Sequence, residues 1–183
     1  MWNSRKISKD IELNIIKNMD SEILFALANQ NRAYLRQWFP WIDNTKSVED
    51  IRKFIKGFED KAKTNKGLLL GIWYQGNLCG LVDLHDINWE NRKASIGYWL
   101  SEDYQGKGIM SQCCKALIDY AFHELNLNRI EIRAAAENKK SRAIPERLGF
   151  QQEGTIRQAE WLYNHFVDHI VYGILASEWD TLK

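Results

Sequence analysis

The segment Gln105-Gly106-Lys107-Gly108-Ile109-Met110-Ser111 has the plainest chemical use in the chain. Glycines at 106 and 108 let the backbone approach a bulky anion with no Cβ in the way. A strand-like run, Ala94 to Leu100, ends just before it, and an amphipathic pattern opens at Gly108 and continues to about Leu125. Strand, glycine-bearing turn and helix start together present free N–H groups, at the positive end of a helix dipole, to a diphosphate. The competing reading of the same glycines is an ordinary strand–helix turn. Two other phosphate loops are excluded. The Walker loop needs Gly-Lys-Ser/Thr, but Lys107 is followed by Gly108. The dinucleotide fingerprint Gly-x-Gly-x-x-Gly meets Ser111 where its last glycine must stand.

Other reactive side chains carry less. Cys79, Cys113 and Cys114 are odd in number and lack zinc-ligand spacing. Cys113-Cys114 falls on the apolar stripe of a helix, where a thiol acts as a small packed hydrophobe. His165 and His169 share one face of a strand but stand about 13 Å apart, too far for one ion, so no metal is expected. His85 and His123 are isolated.

Elements must position these residues. Residues 11–16 read as a strand and 21–38 as a helix, with Leu24, Leu27, Ala28, Leu35 and Trp38 at helical spacing and Pro40 beyond its end. The aromatic run Trp38-Phe39-Pro40-Trp41 falls in the loop between this helix and the next. Ser47 is the expected N-cap of that second helix, with Glu49 and Asp50 in its first turn and Val48, Ile51, Phe54, Ile55 and Phe58 on its apolar face. Strands are expected at 68–74 and 78–84 around Gln75-Gly76-Asn77, then at 94–100 after a polar loop at 88–92. A helix over 108–126 follows, then a strand over 129–135. A helix over 138–148 closes on Gly149 as a left-handed cap and is kinked or shortened by Pro145. Strands at 150–162 and 166–176, turning at Asn164, finish the chain. The pattern predicts an α/β (α+β mixed) fold, a mixed sheet with helices on both faces, as one domain over residues 1–183.

The motifs resemble a family. Gln105-Gly106-Lys107-Gly108-Ile109-Met110 is similar to the acetyl-coenzyme A loop of the GNAT superfamily of N-acetyltransferases, with Met110 departing from the usual small residue. Gln-Gly-x-Gly-Ile-Met-Ser, then Asn138-Lys139-Lys140-Ser141 with Glu146-Arg147-Leu148-Gly149-Phe150, then Arg157-Gln158-Ala159-Glu160-Trp161, resemble the RimJ/RimL branch, which acetylates N-termini of ribosomal proteins. The resemblance covers essentially the whole chain. It implies the GNAT fold: a central, mixed, mostly antiparallel sheet in which two parallel strands splay to admit the pantetheine arm. It also implies direct transfer from acetyl-CoA to an amine, with no acyl-enzyme.

That chemistry has four requirements: the cofactor held, the thioester carbonyl polarised, the amine neutral, the thiolate supported. By resemblance, holding falls to Gln105 through Ser111 with Asn138 on the pantetheine arm. Polarisation falls to a backbone N–H near Tyr98, at Trp99 or Leu100; residues alone leave the choice open. Glu160 matches the family's base and Ser141 its donor to the thiolate. The competing readings are a surface glutamate, a first-turn serine and, for Asn138, a helix N-cap. Trp38, Phe39, Trp41 and Trp161 are expected to wall the acceptor site, with Tyr163 beside them. An α-amino group near its reference pKa of about 8 arrives partly neutral, whereas a lysine near 10.4 does not. A single weak base therefore suits an N-terminus.

Composition bounds the rest. The 183 residues carry a net charge of +1 with both signs mixed, which gives no footprint for direct nucleic-acid binding. No apolar run spans a membrane, and Met1 to Lys6 lacks the apolar core of a leader, so a cytoplasmic protein is expected. The expected partners are acetyl-CoA and a protein or peptide N-terminus, and a homodimer is compatible with the sequence. The rival readings are acetylation of a small amine (polyamine, amino acid or antibiotic) and a non-catalytic acyl-CoA-binding module.

Overall fold

The computed structural model describes Trp2 and residues 4–182; Met1 and Asn3, within the stretch read for a leader, lie outside them. The strands are β1 (Arg5–Lys6), β2 (Ile11–Ile15), β3 (Leu68–Tyr74), β4 (Asn77–Asn88), β5 (Lys93–Leu100), β6 (Arg129–Ala135), β7 (Gln151–Leu162) and β8 (His165–Leu175). They form one sheet of eight strands in the order β1-β2-β3-β4-β5-β6-β8-β7. Pairing is antiparallel in β1–β2, β2–β3, β6–β8 and β7–β8, and parallel in β5–β6. The parallel register runs from Lys93↔Arg129 to Ser95↔Glu131 and stops there, although both strands continue. The mixed, mostly antiparallel sheet of the expected fold is thus present.

The helices are α1 (Ser21–Gln30), α2 (Arg32–Leu35), α3 (Trp41–Asn44), α4 (Val48–Lys63), α5 (Ile109–His123), α6 (Lys139–Arg147) and α7 (Ala176–Trp179). The chain falls into two units: Met1–Asp83 with Tyr98–Cys113, and Leu84–Gly97 with Cys114–Lys183.

In the first unit, Leu24, Leu27, Ala28, Leu35, Ile42, Ile51, Ile55, Leu69, Leu81 and Trp99 share one buried cluster. Burial of these side chains is the driving term for docking α1–α4 on the sheet. Two expectations change here. The helix over 21–38 is broken at Asn31, whose amide donates to the Leu27 carbonyl (2.9 Å) and whose Oδ1 accepts from Glu102 N–H (2.9 Å). A side chain that caps the preceding turn and is claimed by a distant backbone ends the helix there. Trp41 opens α3 instead of lying in a loop, and Arg32 donates to the Ile42 and Thr45 carbonyls at that helix's end. Ser47 caps α4 as expected: its side chain and Asp50 form a capping box. Of α4's apolar face, Ile51 and Ile55 are buried, Phe58 is half-buried and Phe54 is exposed, edge-on to Phe58 at 5.3 Å.

In the second unit β8 lies between β6 and β7, and Ile130, Ile132, Ile170, Tyr172 and Ile174 are buried on one face. β4 runs four residues beyond the expected end at Leu84. α6 keeps its helical path through Pro145 and closes at Gly149, whose φ is +81°. The proline has six residues of the helix ahead of it and two behind, so the helix is not cut short at the lost N–H bond.

Gly80, in β4, sets how closely β5 can lie. A Cβ there would meet the Trp99 carbonyl oxygen and, at 3.0 Å, the Leu100 Cα. Both obstacles are backbone and cannot rotate aside. Gly80→Ala should therefore destabilise by about 1–3 kcal/mol, read as a fall in the urea midpoint with an unchanged slope. A midpoint equal to the parent's would show that the two strands have slack.

Candidate active site

After β5 a single 3-10 turn, Glu102–Tyr104, leads to Gln105 and the glycines. Gly106 and Gly108 adopt φ of +75° and +71°. Both lie in the left-handed region that L side chains rarely adopt. An added Cβ at Gly106 would touch nothing within 4 Å, and one at Gly108 only Gln112 Nε2 at 3.9 Å. Positive φ with open space in front is a cradle that a Cβ would fill. Among the described residues the N–H groups of Gly106, Lys107, Gly108 and Ile109 donate to no carbonyl. The donor set therefore fits a diphosphate at the start of α5.

The loop is clamped from beneath. Ile109 and Met110 are buried, so the one residue that departs from the small type expected carries its bulk into the core. Tyr34 and Gln105 hydrogen-bond through their side chains, and burial pushes the Tyr34 phenol up. Gln105 Nε2 also donates to the Leu100 carbonyl (3.4 Å). The Lys107 ammonium stands over the rings of Tyr74 and Tyr104, 5.7 and 5.1 Å from their centroids.

The backbone N–H groups at the end of β5 face in two directions. Ser101 N–H donates to the Cys79 carbonyl at 2.8 Å. Backbone polarity alternates along an antiparallel pair. Trp99, two residues earlier, therefore also addresses β4, whereas the N–H groups of Leu100 and Tyr98 turn away from it. Of the expected acceptor-wall residues, Phe39 and Trp41 lie 6.0 Å apart, and Trp41 lies 6.5 Å from Trp99 by ring centroids. Trp38 is half-buried.

In the second unit Asn138 is the N-cap of α6, its Oδ1 accepting from Ser141 N–H at 3.1 Å. The capping reading of Asn138 thus holds, and it leaves the amide NH₂ outside that bond. Ser141 is half-buried on the first turn. Arg142 beside it donates to the Ala136 carbonyl (2.8 Å) and the Tyr172 hydroxyl (2.9 Å), which in turn donates to Glu146 (2.6 Å). These bonds hold the turn that carries Ser141 against β8.

Glu160 lies on β7 with Oε2 3.1 Å from Nε2 of His169 on β8. The sequence reading set His169 aside as an unlikely metal ligand and missed this pairing. Hairpin arithmetic contained the signal: a turn at Tyr163-Asn164 sets Glu160 opposite Val167, so residue 169 is its diagonal neighbour on the same face. Trp161 and Phe166 meet edge-to-face at 4.7 Å, both more than half exposed. No group of His, Cys, Asp and Glu among the described residues could hold a metal ion. None of their helices is long and apolar enough to cross a membrane.

The three cysteines are buried, and none is in a disulfide. Cys79 donates weakly to the Ile72 carbonyl (3.3 Å), and burial pushes its thiol up to about 12; burial drives Cys113 higher still. Neither supplies a thiolate at neutral pH.

Residues 11–151 match the profile described as "Acetyltransferase (GNAT) domain". A Bacillus subtilis (strain 168) protein provisionally named ribosomal N-acetyltransferase YdaF is 38% identical over 97% of this chain and 98% of its own. The spermidine N(1)-acetyltransferase of Escherichia coli K12 is 38% identical over 80% of this chain and 75% of its own. Among solved structures, RimL, a ribosomal L7/L12 alpha-N-protein acetyltransferase in complex with coenzyme A, superposes with a TM-score of 0.91 at 29% identity, covering 94% of this chain and 98% of that one.

Two outcomes are expected. Acetyl-CoA should raise the unfolding temperature of the parent protein by mass action, and Gly108→Val should fold but lose that shift, because a branched side chain fills the cradle. An undiminished shift in the variant would displace the diphosphate from this loop. Separately, the folded state holds the Cys79 and Cys113 protons more tightly than the unfolded chain does. Their contribution is complete below the ordinary thiol range near 8.5 and is lost as pH rises toward 12. Urea midpoints should therefore fall between pH 7.5 and 10 by more in the parent than in Cys79→Ala/Cys113→Ala; equal falls would show that the thiols are not the cause.

Proposed function

The chain belongs to the GNAT acetyltransferase family, and from that premise we propose that its acceptor is the α-amino group of a protein or peptide, foremost of a ribosomal protein. The chain is an acetyl-CoA-dependent N-acetyltransferase. The observation that carries the acceptor proposal is identity over nearly the whole length: YdaF is 38% and an Escherichia coli ribosomal-protein-serine acetyltransferase 31% identical end to end, whereas a Vibrio cholerae spermidine N(1)-acetyltransferase, matched as fully, is 27% identical. One carboxylate at the candidate site, flanked by aromatic rings, also suits an amine that is partly neutral on arrival. We take residues 1–183 as one catalytic domain, because the family match runs through segments of both units.

Acetyl-CoA supplies an activated acyl thioester. The N–H groups of Gly106 through Ile109 hold its diphosphate, with Lys107 adding charge and Gln105, Met110 and Ser111 shaping the turn. Leu100 N–H, turned away from β4, donates to the thioester oxygen, where charge develops. The Tyr98 N–H points the same way and serves the pantetheine arm together with the Asn138 amide. Glu160 accepts the proton of the incoming ammonium, directly or through water. Ser141 donates to the departing sulfur. Trp38, Phe39, Trp41 and Trp161 wall the acceptor.

Turnover, read as coenzyme A thiol released, should be fastest on peptides with free N-termini. Faster turnover of spermidine or an amino acid would move the reading to a small amine. Thermal protection by acetyl-CoA with no turnover on any amine would mark a binding module. On the best acceptor, Glu160→Gln should lose about 10²–10⁴-fold in kcat at an unchanged KM for acetyl-CoA, the loss shrinking as pH approaches the acceptor's own pKa. Ser141→Ala should lose rate by a factor nearly independent of pH. A Glu160→Gln variant as fast as the parent below pH 7 would remove Glu160 as base and turn the search to Glu102 and Asp83.

A further inference from the structure

We propose that His169 is a positioning residue for Glu160, a role that rests on Glu160 being the base. An ionised carboxylate only accepts, so the 3.1 Å contact places the proton on His169 Nε2, donating to Oε2. That bond leaves Oε1 to face the amine. An unheld glutamate carries three side-chain torsions and must be ordered at each turnover. A glutamate held by a half-buried imidazole is ordered beforehand.

The backbone is shaped for this contact. Ile156 stands opposite His169 and Glu160 opposite Val167, so β7 takes four steps where β8 takes two. Residues 157–159 stand where β8 has Asp168 alone and form a bulge in which Gln158 adopts a φ of +50° and donates its N–H to Asp168 Oδ1 at 2.7 Å. Asp168 is fixed in turn, its carbonyl accepting from Ala136 N–H at 2.8 Å. Bulges re-aim side chains, and this one delivers Glu160 onto the ring of His169.

The decisive measurement is a double-mutant cycle in kcat on one acceptor at saturating acetyl-CoA. His169→Ala should lower kcat about 10- to 100-fold and leave the KM for acetyl-CoA unchanged. His169→Gln, whose amide can donate to the same oxygen, should recover most of the loss. In a Glu160→Gln background His169→Ala should lower kcat no further. Should His169→Ala not fold, His169→Phe, which fills the volume without a donor, carries the same expectations. A parent-like kcat in His169→Ala, an equal loss in both backgrounds, or no recovery with Gln overturns the positioning role. If Glu160→Gln itself is as fast as the parent, the base assignment fails first and the role of His169 falls with it.

Discussion

An anion site made of backbone asks a protein to leave hydrogen-bond donors unpaired, and that constraint governs the region around Gly106 and Gly108. Free N–H groups are tolerable where water or a ligand reaches them and expensive where neither does. The chain meets the constraint by exposing residues 106–108 while burying Ile109, Met110 and Cys113 directly behind them. α5 is thereby anchored by its apolar stripe, and its first turn stays open. The left-handed φ at both glycines would otherwise be a weak point of the chain. It is bridged by bonds that belong to other elements: Asn31 takes the Glu102 N–H, and Tyr34 and Gln105 bind one another. The break between α1 and α2 is part of that arrangement, because an unbroken helix would have spent Asn31 as an ordinary helical residue.

The second unit solves a different problem, that of placing single side chains. Its means are register and networks. β8 is paired on both edges, so its side chains are the best defined in the hairpin, and His169 inherits that order. β7 ends the sheet and is mostly exposed; its irregular register would be a liability without Asp168 to satisfy the Gln158 N–H. The Arg142–Tyr172–Glu146 set does for Ser141 what His169 does for Glu160. It joins α6 to β8 through a buried tyrosine whose hydroxyl has both a donor and an acceptor. Buried polar groups satisfied on every side specify geometry more than they add stability.

Local signals were legible in the sequence. Ser47 and Asn138 as caps, Gly149 as a left-handed stop, the Gln75-Gly76 hairpin and the two loop glycines each depend on a few neighbouring residues. So does burial of Cys113 and Cys114, which follows from helical periodicity. What escaped depends on partners far along the chain. Asn31 looks like one more position in an amphipathic helix until Glu102 claims it, 71 residues on. β4 outruns its apolar run because Asp86 and Asn88 are carried by pairing, which composition does not reveal. His169 was weighed against His165, a partner on its own strand; its actual partner lies across the hairpin, where only counting back from the turn finds it.

The burial of the thiols and the exposure of the carboxylate bear on one mechanistic choice. An acyl-enzyme route needs a nucleophile that is ionised and accessible. Cys79 and Cys113 are neither, since burial raises their thiols and packing closes every approach to sulfur. Direct transfer needs only that the amine lose a proton near the point of attack. Glu160, the group proposed above for that proton, is a partly exposed carboxylate with Oε2 3.1 Å from the His169 imidazole. With the acyl group already activated as a thioester, the protein has little covalent work to do. Its contribution lies in holding the two reactants and in moving one proton.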